Sequence, residues 1–334
     1  MSKTVAKIRA AVSNPRLPIS YLTRRFKMVA ALVAKRRYAL GARYALDQID
    51  GGDRYQSFLQ SNDDRRYLEC DVLDFRMRVD LLDEGLSRDL VIDGLREPRA
   101  TARYRAELSR LEADRGGLTV VDIGANIGYF ALLYLTQCSD GGEVIAIEPV
   151  PETFELLQEN LRLNGVADAV DCYQCALGAA SGSASMHLSK HRNLSAITDS
   201  PSSHHTDEIT VPVESLDGFL SEHGIAPESV DVLRMDIQGY EYEVFQGMSE
   251  LLRNGSVGLV FLELHPSTLK RTGSYDEFIS MLQEAGFELV FAADGRTTNL
   301  QDDHPTYSDR EIEIDSIEAM RDIDITVEII LRKS

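Results

Sequence analysis

A chain of 334 residues with 43% hydrophobic content can bury a sizeable core, enough for one large domain with an extension or for two domains. Its formal net charge of −19 and pI near 4.8 argue against general nucleic-acid binding, which needs a basic face for phosphate. Only seven of the 35 basic residues are lysine, a bias that beside so much acid points to a halophilic protein whose carboxylates repel one another at low salt.

The charge is uneven along the chain. Residues 1–50 carry 11 Lys and Arg against two Asp, a formal +9, and the remaining chain carries −28. In FKMVAALVAKRRYALGARYAL, Phe26, Val29, Ala30 and Val33 recur at helical spacing, which predicts a basic amphipathic N-terminal segment. Its first reading is a helix packed on the acidic body of its own subunit or of a neighbour in a homo-oligomer; the other is peripheral contact with an anionic membrane surface. Lys27, Lys35, Arg36 and Arg37 cut the apolar run short of the roughly 20 residues a membrane span requires. Without a signal-peptide core, the expected compartment is the cytoplasm, with the inner membrane face as the peripheral alternative. Cys70, Cys138, Cys172 and Cys175 do not make a disulfide framework in a chain this size. Cys172 and Cys175 lie on a strand-like run that points them to opposite faces, and no second pair completes a zinc site.

Residues 51–117 mix charge with apolar residues at helical spacing and end at Arg115-Gly116-Gly117, which predicts a mainly helical lead-in. From 118 to 334 the pattern becomes alternating strands and helices, the mark of an α/β domain with a mostly parallel sheet covered on both faces. Strands are expected at 118–124, 143–149, 169–177, 230–237 and 257–265, with helices at about 128–135 and at 151–163, where Pro151 suits a first turn. ASMHLS and ITVPVESL read as an inserted strand pair around a polar loop that holds His204 and His205, both read as solvated. FELVFAA (287–293) and ITVEIIL (325–331) read as a closing pair, possible in antiparallel order.

In an open α/β sheet the ligand sits beyond the carboxyl ends of the strands. LTVVDIGANIGYF supplies a strand, a glycine turn through Gly124 and Gly128, and a helix start whose free N–H groups suit an anion. Glu148, at the end of the second strand and 20 residues past Gly128, can accept the hydroxyl hydrogen bonds of a ribose. The loop is not GxGxxG, and Ala125 and Asn126 leave less room for a pyrophosphate, which disfavours nicotinamide. An NAD-type nucleotide-dependent oxidoreductase on a Rossmann-like fold stays as the alternative.

VVDIGANIGYF, IAIEPVPETFELLQENLRLNG, ITVPVESLDGFL, VLRMDIQGYEYEVFQG and FLELHP together resemble the FkbM-type family of S-adenosylmethionine-dependent methyltransferases, over roughly residues 90 to 295. The resemblance implies the three-layer, Rossmann-like class I methyltransferase fold, a seven-stranded sheet with one antiparallel strand. It implies S-adenosyl-L-methionine over the turn, its amino-acid end near Asp122, Gly124 and Asn126, its ribose on Glu148 and its adenine beside Ala176, with Glu97 of Arg96-Glu97-Pro98 reaching the cofactor. It implies O-methylation of a hydroxyl on a carbohydrate, glycan or secondary metabolite. The family often shows Asp-x-Glu-Gly after the fourth strand, whereas this chain has Asp236-Ile237-Gln238-Gly239. Gln238 can be neither base nor charged metal ligand, which also leaves open a catalytically inactive cofactor-binding member. Asp236 and His265, both at strand ends, are the candidate general bases. No metal is required; Asp236, Glu263 and His265 are the alternative ligands for a divalent ion such as magnesium or manganese.

Overall fold

In the computed structural model, residues 55–333 are described except at 56–57, 60–61, 63, 84, 138–141, 190–193, 199–204, 255–256, 295–296, 299–305 and 308–309. The basic N-terminal segment, Cys138, His204 and the side chain of His205 lie outside the described residues. The lead-in holds β1 (Tyr67–Val72), β2 (Phe75–Asp80), α1 (Leu86–Asp93) and α2 (Pro98–Arg115). Helices α1 and α2 make up most of its regular structure among the described residues, and the antiparallel β1–β2 hairpin is an addition to the helical reading. There Phe75, Met77 and Val79 are buried and alternate with Arg76 and Arg78, a period of two that the charged residues obscure in sequence.

The α/β part follows as β3 (Thr119–Ile123), α3 (Tyr129–Gln137), β4 (Glu143–Ile147), α4 (Pro151–Leu163) and β5 (Val170–Tyr173). An accessory sheet comes next, from β6 (Ala176–Leu177), β7 (Gly182–Ser189), β8 (Ala196–Ile197) and β9 (His205–Glu214), and then α5 (Leu216–Glu222). The chain continues through β10 (Val232–Met235), α6 (Glu241–Gln246), α7 (Ser249–Asn254), β11 (Leu259–Leu264), α8 (Pro266–Thr272) and α9 (Tyr275–Glu284). It closes with β12 (Phe287–Asp294), the short pair β13 (Thr297–Thr298) and β14 (Thr306–Tyr307), β15 (Arg310–Glu311) and β16 (Val327–Lys333).

The central sheet runs β15-β12-β16-β11-β10-β3-β4-β5. Seven of these strands make the sheet expected of a class I methyltransferase fold, and β15 adds a two-residue edge. The β11, β10, β3, β4 and β5 neighbours are parallel, while β16 is antiparallel to both β11 and β12, so the closing pair is antiparallel. Alternation along the strands divides the core. Val120, Val232 and Phe261 face Tyr104 of α2 and Phe130 of α3, whereas Val121, Leu233 and Val260 face Phe219, Phe245 and Phe278 of α5, α6 and α9. The expected strand at 169–177 is split in two: β5 stays in the central sheet, and β6 leaves it to pair with β9.

Helix α4 fastens the hairpin to the site. Asn160 is fully buried; its amide donates to the carbonyls of Ile127 (2.9 Å) and Arg78 (3.1 Å), and its Oδ1 accepts from the Arg78 N–H (2.6 Å). One helical turn later, Asn164 makes the same pair of bonds to the backbone of Arg76 (2.9 and 2.7 Å). Residues four apart on a helix match residues two apart on a strand, so the two amides act as a neighbouring strand for the edge of β2.

Candidate active site

Beyond the carboxyl ends of β3, β4 and β10 lies an open cleft of about 620 Å³. Gly124 stands at φ +74°, and a Cβ there would lie 2.3 Å from the carbonyl oxygen of Asp236, so the turn can pass the end of β10 only as glycine. Gly128, at φ +89°, would drive a Cβ to 2.8 Å from the side chain of Leu157 on α4. Asn126 holds φ +52° and accepts from the Ile127 N–H through its own Oδ1 (2.8 Å), the local bond that lets asparagine adopt this conformation. Glu148 closes the turn: one carboxylate oxygen accepts from the Asn126 N–H (3.0 Å), the other from the Val150 N–H (2.9 Å). Burial outweighs both bonds and pushes its carboxyl up to about 7.

The other half of the cleft follows from strand period. Asp122 and Arg234 are register partners on β3 and β10, and Glu263 and Glu328 are partners on β11 and β16. Two-residue spacing places Asp122, Arg234, Asp236, Glu263 and Glu328 on one sheet face at the carboxyl edge, the face that α2 covers. Arg234 joins them: it reaches Asp122 (3.4 Å), the Gly124 carbonyl (2.9 Å) and Asp236 (3.1 Å), and its guanidinium lies 4.2 Å from the ring centre of Phe130. Arg96 comes from the lead-in, pairs with Glu97 and lies 3.9 Å from Asp236. Burial raises Asp236, but Arg234, the adjoining Glu263 carboxyl and Arg96 outweigh it and hold the group well below the usual carboxylate range. Burial, then the charges of Asp236 and Glu328, push Glu263 well above that range.

Gln238, at φ +56°, donates from one amide nitrogen to Asp236 (2.8 Å) and to Glu263 (3.1 Å). The expected divalent-ion ligands therefore do not converge. Arg234 and Gln238 occupy Asp236, Gln238 also donates to Glu263, and His265 turns its Nδ1 to Glu241 (2.8 Å). Among the described residues no group of three His, Cys, Asp or Glu side chains is arranged to hold a metal.

Of the residues singled out in sequence, Gly124, Asn126, Glu148, Ala176 and Asp236 line the cleft, whereas Glu263 and His265 stand behind Asp236 and Gln238 and do not line it. Ala125 is instead a core residue, Gly128 packs on α4, and Asp122 and Glu97 are buried among the arginines behind the turn. Cys175 also lines the cleft; burial pushes its thiol up to about 12 and that of Cys172 to about 11, and both are free. The sequence reading missed Arg234, although one charge inside the apolar run VLRM was a signal. It also missed Met186 and Ile197, register partners on β7 and β8 that form the far wall. Nothing in their local pattern distinguishes them from ordinary strand residues.

A mixed sheet with a reversed strand beside β11, a glycine turn after β3 and an acid after β4 define a class I methyltransferase fold. The model of the methyltransferase FkbM domain matches residues 122–289, half of the chain, and the protein belongs to that family. Methyltransferase sdnD of Sordaria araneosa is 25% identical over 203 residues, 51% of this chain and 74% of that protein. The 2-O-methyltransferase NoeI of Sinorhizobium fredii is 27% identical over 174 residues (48% and 69%). The hexuronic acid methyltransferase AglP of Haloferax volcanii is 31% identical over 145 residues (43% and 54%). The matched part thus spans 54 to 74% of these relatives.

Proposed function

We propose that the protein transfers a methyl group from S-adenosyl-L-methionine to a hydroxyl of a carbohydrate, glycan or secondary metabolite. The observation that carries this reading is a pair of buried acceptors with no partner. Asp122 Oδ2 and Glu97 Oε2 receive no hydrogen bond, although both residues are almost wholly enclosed. Such atoms cost about 1–3 kcal/mol each unless something donates to them, and the α-ammonium of an amino acid is such a donor. The residues present fit the rest of the cofactor. Glu148 would hold the ribose hydroxyls, Gly124 leaves space for close approach, and Val150, Ala176, Met186 and Ile197 offer an apolar seat for a base. When bound, the cofactor supplies an electrophilic methyl carbon, so placement provides much of the rate. This chain's residues bind, orient and exclude water. Asp236, already ionised and hydrogen-bonded, contributes a fixed negative charge on the acceptor side. Of the two named relatives with a stated substrate or position, one is a 2-O-methyltransferase and the other acts on hexuronic acid, which supports a sugar hydroxyl as acceptor.

Calorimetric titration of the full chain with S-adenosylhomocysteine and, separately, with NAD tests the reading. Binding of S-adenosylhomocysteine alone is the expected result. Binding of NAD alone would overturn it in favour of a nucleotide-dependent oxidoreductase.

A further inference from the structure

Transfer to a hydroxyl requires that its proton go somewhere, and the two strand-end candidates are not equivalent. Asp236 has its carboxylate committed to Arg234 and Gln238 and is held far below the usual carboxylate range, which makes it a weak acceptor of protons. His265 follows β11 and starts α8, two residues beyond the level of Glu263. Its Nδ1 lies 2.8 Å from Oε1 of Glu241, the first residue of α6. That oxygen also accepts the Gly239 N–H (2.9 Å), so the carboxylate is fixed from the Asp236-Ile237-Gln238-Gly239 turn as well as from its own helix. Glu241 is fully buried, and its Oε2 has no partner. A buried carboxylate can only accept here, so the ring nitrogen facing it must be the one that carries hydrogen. Among the described residues, His265 makes no hydrogen bond through its opposite nitrogen, Nε2.

We propose that Glu241 is the positioning residue of a His265 base. It holds the neutral ring as the Nδ1–H tautomer and leaves the Nε2 lone pair to take the acceptor's proton. This deepens the O-methyltransferase reading and rests on it. In the balanced step the hydroxyl proton passes to Nε2 as the acceptor oxygen bonds the methyl carbon, and the pair of the broken carbon–sulfur bond stays on sulfur. The imidazolium then returns its proton to water. The charged groups facing the ring are Glu241 from α6 and Asp236 from the end of β10. Burial disfavours the imidazolium, but these two carboxylates outweigh it, so His265 titrates above the ordinary imidazole value.

The test is long-range proton–nitrogen NMR on the uniformly ¹⁵N-labelled full chain, read across pH 5 to 9. In the wild type the His265 signal should show hydrogen on Nδ1 in the neutral form, with a midpoint above 6.5. In Glu241→Gln the midpoint should fall by about one unit, a tenfold change in protonation, with Nε2–H becoming the main neutral form. Glu241→Asp should restore part of both. A wild-type neutral ring protonated on Nε2 overturns the proposal without any variant, and so does an unchanged midpoint and tautomer in folded Glu241→Gln. S-adenosylhomocysteine titrated into the same samples separates the two readings. Failure of the wild type to bind it removes the cofactor assignment, whereas binding with the wrong tautomer removes the positioning role alone.

Discussion

Between Ile123 and Val150 the cleft is formed by backbone amides, two left-handed turn residues and one carboxylate, all close in sequence. Across it, the groups come from the lead-in, β3, β10, β11, α6 and β16, and only tertiary structure brings Arg96, Asp122, Arg234, Asp236 and Glu263 together. The first half needs a strict chain geometry and tolerates variation in side chains. The second needs a balance of charge, because each buried ion there is tolerable only through its neighbours. Substitutions should therefore damage the two halves in different ways.

The largest effect is expected from Arg234→Leu. It leaves Asp122 and Asp236 without their shared cation and should cost about 3–5 kcal/mol in urea unfolding. A loss below about 1 kcal/mol would mean that the acids do not act as one network. Gly124→Ala should come next. With its Cβ aimed at the Asp236 carbonyl, it should weaken S-adenosylhomocysteine binding about a hundredfold or more and lower the melting temperature by several degrees, since left-handed strain costs about 1–3 kcal/mol before the clash is counted. Retention of wild-type affinity would show that the turn does not set the approach.

Glu148→Gln probes the one ionisable group of the local half. Loss of a charged acceptor for two hydroxyls should weaken binding by about 1.5–3 kcal/mol, roughly ten- to a hundredfold. It should also change the pH dependence of stability. Burial raises the folded-state value of this acid from the ordinary 4.5 to about 7, so between those values the folded protein holds the proton that the unfolded chain has released. Stability from this group is therefore present below about pH 4.5 and is lost as pH rises toward 7. The unfolding free energy of wild type relative to Glu148→Gln should fall over that interval, and a pH-independent difference would argue against a buried, protonatable Glu148. The smallest effect is expected from Met186→Ala, about three- to tenfold in S-adenosylhomocysteine affinity from lost apolar contact. No change there would place the base away from the accessory sheet.

What sequence made legible follows the same division. The turn, Glu148 and the order of strands are local or periodic signals, so Gly124, Asn126 and β3 through β5 could be read directly. The charge network could not, because one-dimensional spacing does not say that Arg96 meets Asp236, or that Gln238 would donate to both Asp236 and Glu263. The hairpin was hidden for another reason: Arg76 and Arg78 on its outer face suggested a charged helix until the period-two burial of Phe75, Met77 and Val79 was seen. His265 was identifiable as a strand-end residue and Glu241 as a position that matches the family's pattern, but they lie on different elements and only tertiary structure brings them together.

The position of β16 bears on the order in which the molecule can be assembled. The last described strand occupies an interior place between β11 and β12, and it enters from the cleft side, with Glu328 beside Glu263 and Lys333 at the opposite edge. During synthesis β3, β4, β5, β10 and β11 can associate early, whereas β12 has no place in the sheet until residues 327–333 have left the ribosome. Until then the edge of β11, a fully buried apolar strand in the finished protein, is open to pairing with another chain. Removing residues 327–333 would thus take out an interior strand and leave β12 and β11 without their shared neighbour.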